Sequence, residues 1–381
     1  MNRDYLLLTI FLSILLSFGF AFIYSAGIPM EVKLIGFDAT DNVLRQIFSL
    51  ILGALVAIFI ILLRGTTHFK LSFKLYYPAI LVLLAAVFLF PSRGGSHRWI
   101  DLGFINFQPS ELAKIIIILL MAKYYGNLKK EDEGNFIKTV LIPVLLVLPM
   151  IGLVAVETDL STALVLLMIA FIMMVLGEVK FLYLFMIVGL VIVVFIVAVF
   201  GGFLEDYQVE RLLSFISGFE GEAHEQVELS ISAFPSGGLL GTGPSKGIIK
   251  YSLPVTYSDF IFATIGEELG LVGVFILMFA YIGLTRTLIV IATKRCKNRD
   301  GKLYIVGFSL FILLQASIHI AVNLGLFPPT GITLPFVSYG GSSIISLTIG
   351  FGFVFSILFE NKKEEEENDG ESSEKTIEED K

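Results

Sequence analysis

The chain alternates long apolar runs with short polar segments over most of its length. Ten runs come close to the 17 to 25 residues that a helix needs to cross a bilayer, although the third and fourth are short. The pattern predicts an all-α, polytopic membrane protein of about ten transmembrane helices. They lie at residues 5–24, 45–63, 75–90, 112–125, 136–156, 160–176, 181–203, 271–292, 303–326 and 336–359.

The polar segments between the runs differ in charge. Those after the second, fourth and eighth runs are rich in lysine and arginine, and basic loops stay on the cytoplasmic side of a membrane. Both termini are therefore expected in the cytoplasm. The longest connection, residues 204–270, is then an extracytoplasmic loop between helices 7 and 8, and connections of that length usually carry function.

Composition supports this interpretation and adds a boundary. Hydrophobic residues make up 56% of the chain and charged residues 16%. Residues 361–381 hold ten acidic residues and four lysines, which account for most of the net charge of −7. We expect one transmembrane domain at 1–360 and a disordered acidic cytoplasmic tail at 361–381. The single Cys296 excludes an internal disulfide, and the four histidines lack ligand spacing for a metal site.

Three carboxylates interrupt the stretch SDFIFATIGEELG at residues 258–270. An ionised carboxylate at bilayer depth is costly and is therefore a candidate functional group. Because residues 271–292 are long enough to cross the bilayer alone, all three are expected at the outer rim. Glu267 and Glu268 should face water or cap the helix. Asp259, beside an apolar wall, should face a substrate cavity.

Other charged residues lie in predicted outer loops. In QPSELAK, Glu111 and Lys114 share a helix face, either as a structural ion pair at the rim or as functional groups. Arg98, beside Trp99, either anchors the chain at the interface or binds a lipid phosphate. Asp159 stands where a helix cap is expected.

Two glycine-rich segments complete the candidate site. PSGGLLGTGPSKG, residues 235–247, fails the Walker pattern and favours a flexible hinge beneath a substrate. PPTGITLPFVSYGGSS, residues 328–343, includes Ser338 and Gly340, and such non-helical backbone lines cavities in membrane proteins. With Arg211 as a further possible base in the long loop, the site suits an anionic, lipid-linked substrate.

Five blocks occur in a characteristic order: RWIDLGFINFQPSELAK, TDLSTALVLL, SGGLLGTGPSKG, SDFIFATIGEELG and TGITLPFVSYGGSS. They resemble the SEDS family of FtsW/RodA/SpoVE-like peptidoglycan glycosyltransferases over all but the tail. The resemblance implies polymerisation of lipid II into glycan strands during cell division or elongation. It implies a class B penicillin-binding protein (a transpeptidase) and other divisome or elongasome membrane proteins as partners, without nucleic acid. Thr333 and the charged tail favour the FtsW-like branch over the RodA-like one.

The resemblance also assigns roles to residues. It places the catalytic aspartate at Asp259, and inversion at the donor sugar requires one general base, for which Asp259 is the candidate. Arg98, Lys114 or a divalent cation, Mg²⁺ or Mn²⁺, would stabilise the departing pyrophosphate; no other cofactor is evident. Asp259 is alternatively a metal ligand. A lipid II flippase and a noncatalytic scaffold remain open as other functions. The residues expected to bind substrate are Glu111, Lys114, Arg98, Asp159, Arg211, Ser338 and Gly340.

Overall fold

The helices dominate the fold. The computed structural model describes residues 3–33, 38–92, 96–103, 106–202, 209 and 222–379. Within these residues the α-helices are α1 (Arg3–Lys33), α2 (Ala39–Leu62), α3 (Gly65–Leu71), α4 (Tyr77–Ala86), α5 (Pro109–Gly126), α6 (Ile142–Val156), α7 (Leu160–Leu176), α8 (Phe181–Phe200), α9 (Glu222–Gly237), α10 (Ile261–Arg295), α11 (Arg299–Asn323) and α12 (Gly341–Glu379).

Short segments of other geometry join some of these helices. The π-helical turns Ser72–Tyr76 and Ile137–Leu141 lead into α4 and α6. Turns of 3₁₀ helix lie at Val87–Leu89, Lys130–Asp132 and Ile249–Tyr251. A two-stranded antiparallel hairpin, β1 (Ile100–Asp101) with β2 (Asn106–Phe107), precedes α5 and pairs Ile100 with Phe107. The predicted all-α class is confirmed apart from this small hairpin.

Eight stretches of the described chain are long and apolar enough to cross a membrane, which confirms a polytopic membrane protein. The other two predicted spans correspond to α5, which has 18 residues and carries three charged side chains, and to α7, which has 17. The total of ten spans stays a prediction. The eight stretches are Arg3–Pro29, Ala39–Leu62, Gly65–Leu89, Ile137–Val156, Phe181–Phe200, Ile261–Arg295, Arg299–Asn323 and Gly341–Lys362.

Helix α5 lies at the centre of the bundle. Every side chain from Ile115 to Ala122 is at most 5% exposed. A helix that is apolar on all sides must be surrounded by other helices, and α4, α6, α7, α11 and α12 pack around this one. By contrast, α8 buries only Leu184 and presents its other faces outward, as expected of a helix surrounded by lipid.

The predicted long loop is partly helical. Of residues 204–270, the described part contains α9, the 3₁₀ turn Ile249–Tyr251 and the first nine residues of α10. The helical path of α10 breaks at Gly270, where φ is 62° and ψ is −162°. The predicted start of the eighth span at residue 271 therefore coincides with this break, whereas the prediction of loop for 261–269 is wrong.

Helix α12 continues past its membrane span. Its span ends at Lys362, but the helix runs to Glu379 through most of the segment for which disorder was expected. The difference has a local reason at the start of this segment, because residues 362–367 are all lysine or glutamate, which have high intrinsic helix propensity.

Replacing Gly270 should destabilise the protein. Its backbone geometry is accessible essentially to glycine alone, and an added Cβ would lie 2.5 Å from the backbone nitrogen of Gly241. We expect Gly270→Ala to lower the free energy of unfolding by about 2 to 5 kcal/mol. Gly152→Ala, in α6 with open space around the new methyl group, should change it by less than about 1 kcal/mol. Equal unfolding midpoints for the two variants in detergent would contradict this account of the break.

Candidate active site

Asp259 lies in the turn just before α10 and is partly exposed. Its N–H donates to the Val255 carbonyl over 3.1 Å, and its Oδ1 accepts from the Ser258 hydroxyl over 2.8 Å. Its carbonyl accepts from Nδ2 of Asn323, the last residue of α11, over 3.1 Å. Oδ1 of Asn323 in turn accepts from the N–H of Ala263 over 3.1 Å. The end of α11 therefore fixes the Asp259 turn from both sides.

The loop between α11 and α12 is docked on the same turn. The Ser338 hydroxyl donates to the Ser258 carbonyl over 2.6 Å and accepts from the N–H of Leu334 over 2.9 Å. One residue further, the N–H of Tyr339 donates to the Tyr257 carbonyl over 2.9 Å. Burial raises the pKa of Tyr257, as do the nearby Tyr339 and Asp259. Ser338 thus lies against the block that carries Asp259.

Gly340 and Gly331 lie in this loop too. The N–H of Gly340 donates to Oε1 of Gln46 over 3.1 Å, and Nε2 of Gln46 donates to the Ser338 carbonyl over 3.2 Å. Gly331, with φ of 68°, approaches the carboxylate so closely that a Cβ there would lie 3.5 Å from Oδ2 of Asp259. The Gly331 backbone, rather than a side chain, therefore lies beside Oδ2 of Asp259.

Arg98 and Asp159 meet at a second point. Nη2 of Arg98 donates to the Thr158 carbonyl over 2.6 Å, and Nη1 lies 3.9 Å from Oδ1 of Asp159. Asp159 is 5% exposed and caps α7 by accepting from the N–H of Thr162 over 3.2 Å. Its Oδ2 accepts from Nε2 of Gln108 over 3.1 Å. Asp159 is therefore both the expected helix cap and the anion beside Arg98.

Glu157 is the most unusual group of this cluster. Its side chain is 1% exposed, and neither carboxyl oxygen has a hydrogen-bond partner among the residues that the structure describes. Burial, followed by repulsion from Asp159, raises the pKa of Glu157 to about 8, although Arg98 opposes the shift. Near neutral pH this carboxyl is consequently a group that can carry a proton.

Glu111 and Lys114 form a third group, deeper in the bundle. Nζ of Lys114 donates to Oε1 of Glu111 over 2.7 Å and to Oε1 of Gln315 over 3.0 Å. Nε2 of Gln315 then donates to the Thr333 carbonyl over 3.0 Å, and the Thr333 hydroxyl donates to that of Ser343 over 3.1 Å. The Lys114 side chain is only 2% exposed, so it connects α5 with α11 and the loop before α12.

One face of α11 carries the polar contacts to this loop and to the Asp259 turn. Gln315, His319 and Asn323 are four residues apart, and Nδ1 of His319 lies 2.7 Å from the Ile332 carbonyl. At 1.5 Å per residue, Gln315 and Asn323 are about 12 Å apart along the helix. Lys114 thus reaches the inner part of the loop through Gln315, whereas Asn323 holds the Asp259 turn at the outer end of α11.

The Arg98 cluster is tied to the same region. The N–H of Gln108 donates to the Ser342 hydroxyl over 2.8 Å, and that hydroxyl donates to the Asn106 carbonyl over 2.9 Å. All three groups of candidate residues are therefore organised around the loop between α11 and α12 and the first turn of α12. Arg211 lies outside the described residues, so its predicted role stays a prediction.

Glu268 is buried, which corrects the expectation that it faces water. It is 0% exposed and forms an ion pair with Lys250 at 2.7 Å between Nζ and Oε1. The same oxygen accepts from the Ser25 hydroxyl over 2.6 Å, while Oε2 accepts from the N–H of Ser245 over 2.7 Å. The Ser25 and Lys250 side chains and a backbone N–H of the glycine-rich segment thus supply the partners that solvent was expected to supply.

Glu267 is buried as well, at 1% exposure, because backbone N–H groups surround it. Its Oε1 accepts from Ile248 over 2.7 Å and from Ile249 over 3.1 Å. The segment 235–247 wraps around this part of α10, where a Cβ at Gly241 would collide with the Glu268 carbonyl. These glycines permit close backbone contact, so the interpretation of this segment as a hinge beneath a substrate is replaced by a packing role.

Several supporting residues were not singled out from the sequence. They are the partners described above: Gln46, Lys250, Gln315 and Asn323. A usable signal exists for two of them, because Gln315 and Asn323 fall on one face of an otherwise apolar helix. Lys250 and Gln46 become visible only when distant parts of the chain are brought together.

Removing one member of the buried ion pair should be far more damaging than removing both. In Glu268→Gln the Lys250 ammonium remains buried without its anion, and we expect a loss of about 3 to 5 kcal/mol in unfolding free energy. The double variant Lys250→Met with Glu268→Gln should lie within about 2 kcal/mol of the parent chain. Denaturation in detergent measures both, and an additive loss in the double variant would exclude this pairing.

Glu157 should make stability depend on pH. The unfolded chain loses this proton near pH 4.5 and the folded chain near pH 8, so stability decreases as pH rises between them and levels off above 8. The decrease should reach at most about 5 kcal/mol. In Glu157→Gln this dependence should disappear, so the variant should melt above the parent chain at pH 9 and close to it at pH 5. Parallel melting curves across this range would contradict the assignment.

Comparisons with known proteins address the family directly. A family model described as "Cell cycle protein", covering FtsW, RodA and SpoVE, matches residues 5–363. The chain is 30% identical to the probable peptidoglycan glycosyltransferase FtsW of Bacillus subtilis (strain 168), over 93% of this chain and 91% of the relative. It is 35% identical to the FtsW of the same description from Coxiella burnetii, over 74% and 76%.

Solved structures of similar fold support the same family. A chain from "Structural coordination of polymerization and crosslinking by a peptidoglycan synthase complex" superposes with a TM-score of 0.77 at 30% identity, covering 93% of this chain and 97% of that one. Thermus thermophilus RodA, a rod shape determining protein, gives 0.67 at 28% identity, covering 93% and 96%. From the matched family model and these relatives, the chain belongs to the FtsW, RodA and SpoVE family.

Proposed function

We propose that the protein is a peptidoglycan glycosyltransferase that polymerises lipid II into glycan strands at the outer face of the cytoplasmic membrane. The observation that carries the proposal is Asp259, a partly exposed carboxylate held rigidly between the end of α11 and the loop before α12. Curated relatives named as probable peptidoglycan glycosyltransferases support the reaction class.

The two ends of the bundle differ in charge, which supports the orientation. Helix α5 begins beside the Arg98 cluster and ends among lysines, and α11 begins at Arg299 and ends against Asp259. Helix α10 likewise runs from the Asp259 turn to Lys294 and Arg295. By the positive-inside rule the basic end and both termini are cytoplasmic, and the Asp259 end is extracytoplasmic.

Asp259 serves as the general base. The acceptor sugar hydroxyl attacks the anomeric carbon of the donor, the bond from that carbon to the pyrophosphate oxygen breaks, and the hydroxyl proton passes to the carboxylate. An α-linked donor and a β-linked product require inversion in a single displacement. The Ser258 hydroxyl donates to Oδ1 of this carboxylate, and the Gly331 backbone lies beside Oδ2.

Arg98 is the better placed of the two predicted cations for binding pyrophosphate. Its side chain is 24% exposed, whereas that of Lys114 is 2% exposed and engaged by Glu111 and Gln315. We assign Lys114 and Glu111 to positioning the loop that carries Ser338 and Gly340. Asp159, which is 5% exposed, orients Arg98.

A divalent cation would add electrostatic stabilisation of the leaving group. Among the described residues, no three acidic, histidine or cysteine side chains come together as a metal site. The described residues therefore form no protein site for Mg²⁺ or Mn²⁺, and no step is assigned to one. The pyrophosphate of the substrate would supply oxygen ligands for such an ion.

The proposed partner is a class B penicillin-binding protein that crosslinks the glycan, together with other membrane proteins of the cell-wall machinery. The superposition on a chain of a peptidoglycan synthase complex supports this. A division role is favoured, because the two curated relatives compared above are named FtsW.

The decisive experiment uses the purified full chain in detergent, with and without its penicillin-binding partner, and labelled lipid II. The parent chain should give a ladder of glycan products. Asp259→Asn should reduce polymer formation at least about 100-fold, because removal of a general base costs that much, while its melting temperature stays unchanged. Glu225→Gln, an exposed acid on α9, is the matched control and should polymerise normally.

Both alternatives predict no polymer in this assay, which separates them from a polymerase. A flippase has no membrane to act across in detergent and should yield no polymer with any variant. A noncatalytic scaffold should yield none from the chain and its partner together. Normal polymerisation by Asp259→Asn would overturn the assignment of the base while leaving the polymerase function standing.

A further inference from the structure

A cavity of about 480 Å³ opens at the basic end of the bundle, where α5 ends and the chain turns into α6. It lies at the opposite end of the bundle from Asp259 and contains none of the residues assigned to the glycosyltransferase site. Its wall is polar on one side and apolar on the other. The residues that matter are Lys123, Lys129, Lys138 and Asp132 on the polar side and Phe73 and Ile142 on the apolar side.

The polar side carries net positive charge. Nζ of Lys138 donates to Oδ1 of Asp132 over 2.7 Å, and Nζ of Lys123 lies 3.6 Å from Oδ2 of Asp300. Lys129 is exposed and forms no ion pair with any residue that the structure describes. The three lysines and the two aspartates leave one net positive charge. Lys129 carries that charge and can turn toward a ligand.

The apolar side continues into surface that faces the hydrocarbon core. Phe73 is 38% exposed within the span Gly65–Leu89. Ile137 and Ile142, in the span Ile137–Val156, are 56% and 41% exposed. The cavity therefore lies at the boundary between the hydrocarbon core and the polar interface, where the lysine ammonium groups are located.

The wall of the cavity is held in shape by hydrogen bonds. The Tyr124 hydroxyl donates to the Lys138 carbonyl over 2.7 Å, and the Tyr125 hydroxyl donates to the Thr139 carbonyl over 2.8 Å. Oδ1 of Asn135 accepts from the N–H of Ile137 over 2.9 Å. The π-helical turn that carries Lys138 is thereby fastened to α5, so little reorganisation is needed for a ligand to bind.

We propose that this cavity is a binding site for the phosphate-bearing headgroup of an anionic phospholipid of the cytoplasmic leaflet. Lys129 and Lys138 contact the phosphate, and an acyl chain lies along Phe73 and Ile142. Basic pockets between helices at the cytoplasmic interface are suited to such headgroups. The inference depends on the orientation proposed above but not on catalysis, because the site shares no residue with the Asp259 region.

The site can be tested by native mass spectrometry of the purified full chain in micelles containing equal amounts of a phosphatidylglycerol and a phosphatidylcholine with the same acyl chains. The parent chain should retain phosphatidylglycerol in preference. Each lysine near the headgroup contributes roughly fivefold to affinity. The double variant Lys129→Gln with Lys138→Gln should therefore bind phosphatidylglycerol about 25-fold more weakly, with unchanged phosphatidylcholine binding.

A matched control removes the same charge elsewhere on the basic face. Lys294→Gln with Lys302→Gln lies outside the cavity and should retain phosphatidylglycerol as the parent chain does. Equal losses in the two double variants would show general surface attraction and overturn the site. Equal retention of both lipids by the parent chain would also overturn it. Displacement of phosphatidylglycerol by millimolar inorganic phosphate would show a phosphate site without lipid specificity, and would overturn the lipid assignment.

Asp132 provides a test in the opposite direction. Asp132→Asn removes the one acidic side chain on the cavity wall and releases Lys138 from its ion pair. Phosphatidylglycerol retention should then rise roughly fivefold, because one unit of repulsion has been removed. Unchanged or weaker retention in this variant, with an unchanged melting temperature, would contradict a headgroup bound at this wall.

Discussion

Non-helical backbone inside an apolar bundle needs hydrogen-bond partners from the protein itself, because lipid supplies none. The loop between α11 and α12 is such a segment. Its partners come from Gln46 on α2, from Gln315 and His319 on α11, and from its own Ser338. Much of the site follows from this requirement, because the side chains that satisfy the loop also determine where it meets the Asp259 turn.

The same requirement separates the ionisable residues into two groups. Lys114 and Lys250 are almost completely buried, and each has an anion and a neutral oxygen as partners. Their ion pairs hold helices and loops in position. Arg98 and Asp259 retain exposure, as their proposed roles toward substrate require. The exposed fraction of a charged side chain, rather than its charge alone, therefore separates the residues proposed to act on substrate from those that hold the bundle together.

The sequence predicted those features that depend on residues close together in the chain. Long apolar runs predicted most helices, and the predicted start of the eighth span met the break at Gly270. Prolines and glycines identified the loop that carries Ser338. Local patterns failed for Glu267 and Glu268, because their partners are the Ser25 and Lys250 side chains and the backbone N–H groups of Ser245, Ile248 and Ile249. A buried charge whose partner is distant in sequence looks the same as an exposed one.

The ion pair between Lys250 and Glu268 joins residues 18 positions apart, and Asp259 lies midway between them. It acts as a noncovalent crosslink that closes a short loop around the carboxylate, and the entropy of closing that loop is lost during folding rather than when substrate arrives. Catalytic rate should therefore be sensitive to a contact that never touches the sugar. The glycine-rich wrapping over Glu268 shields that crosslink from water, whose entry would weaken it and return conformational freedom to the proposed base.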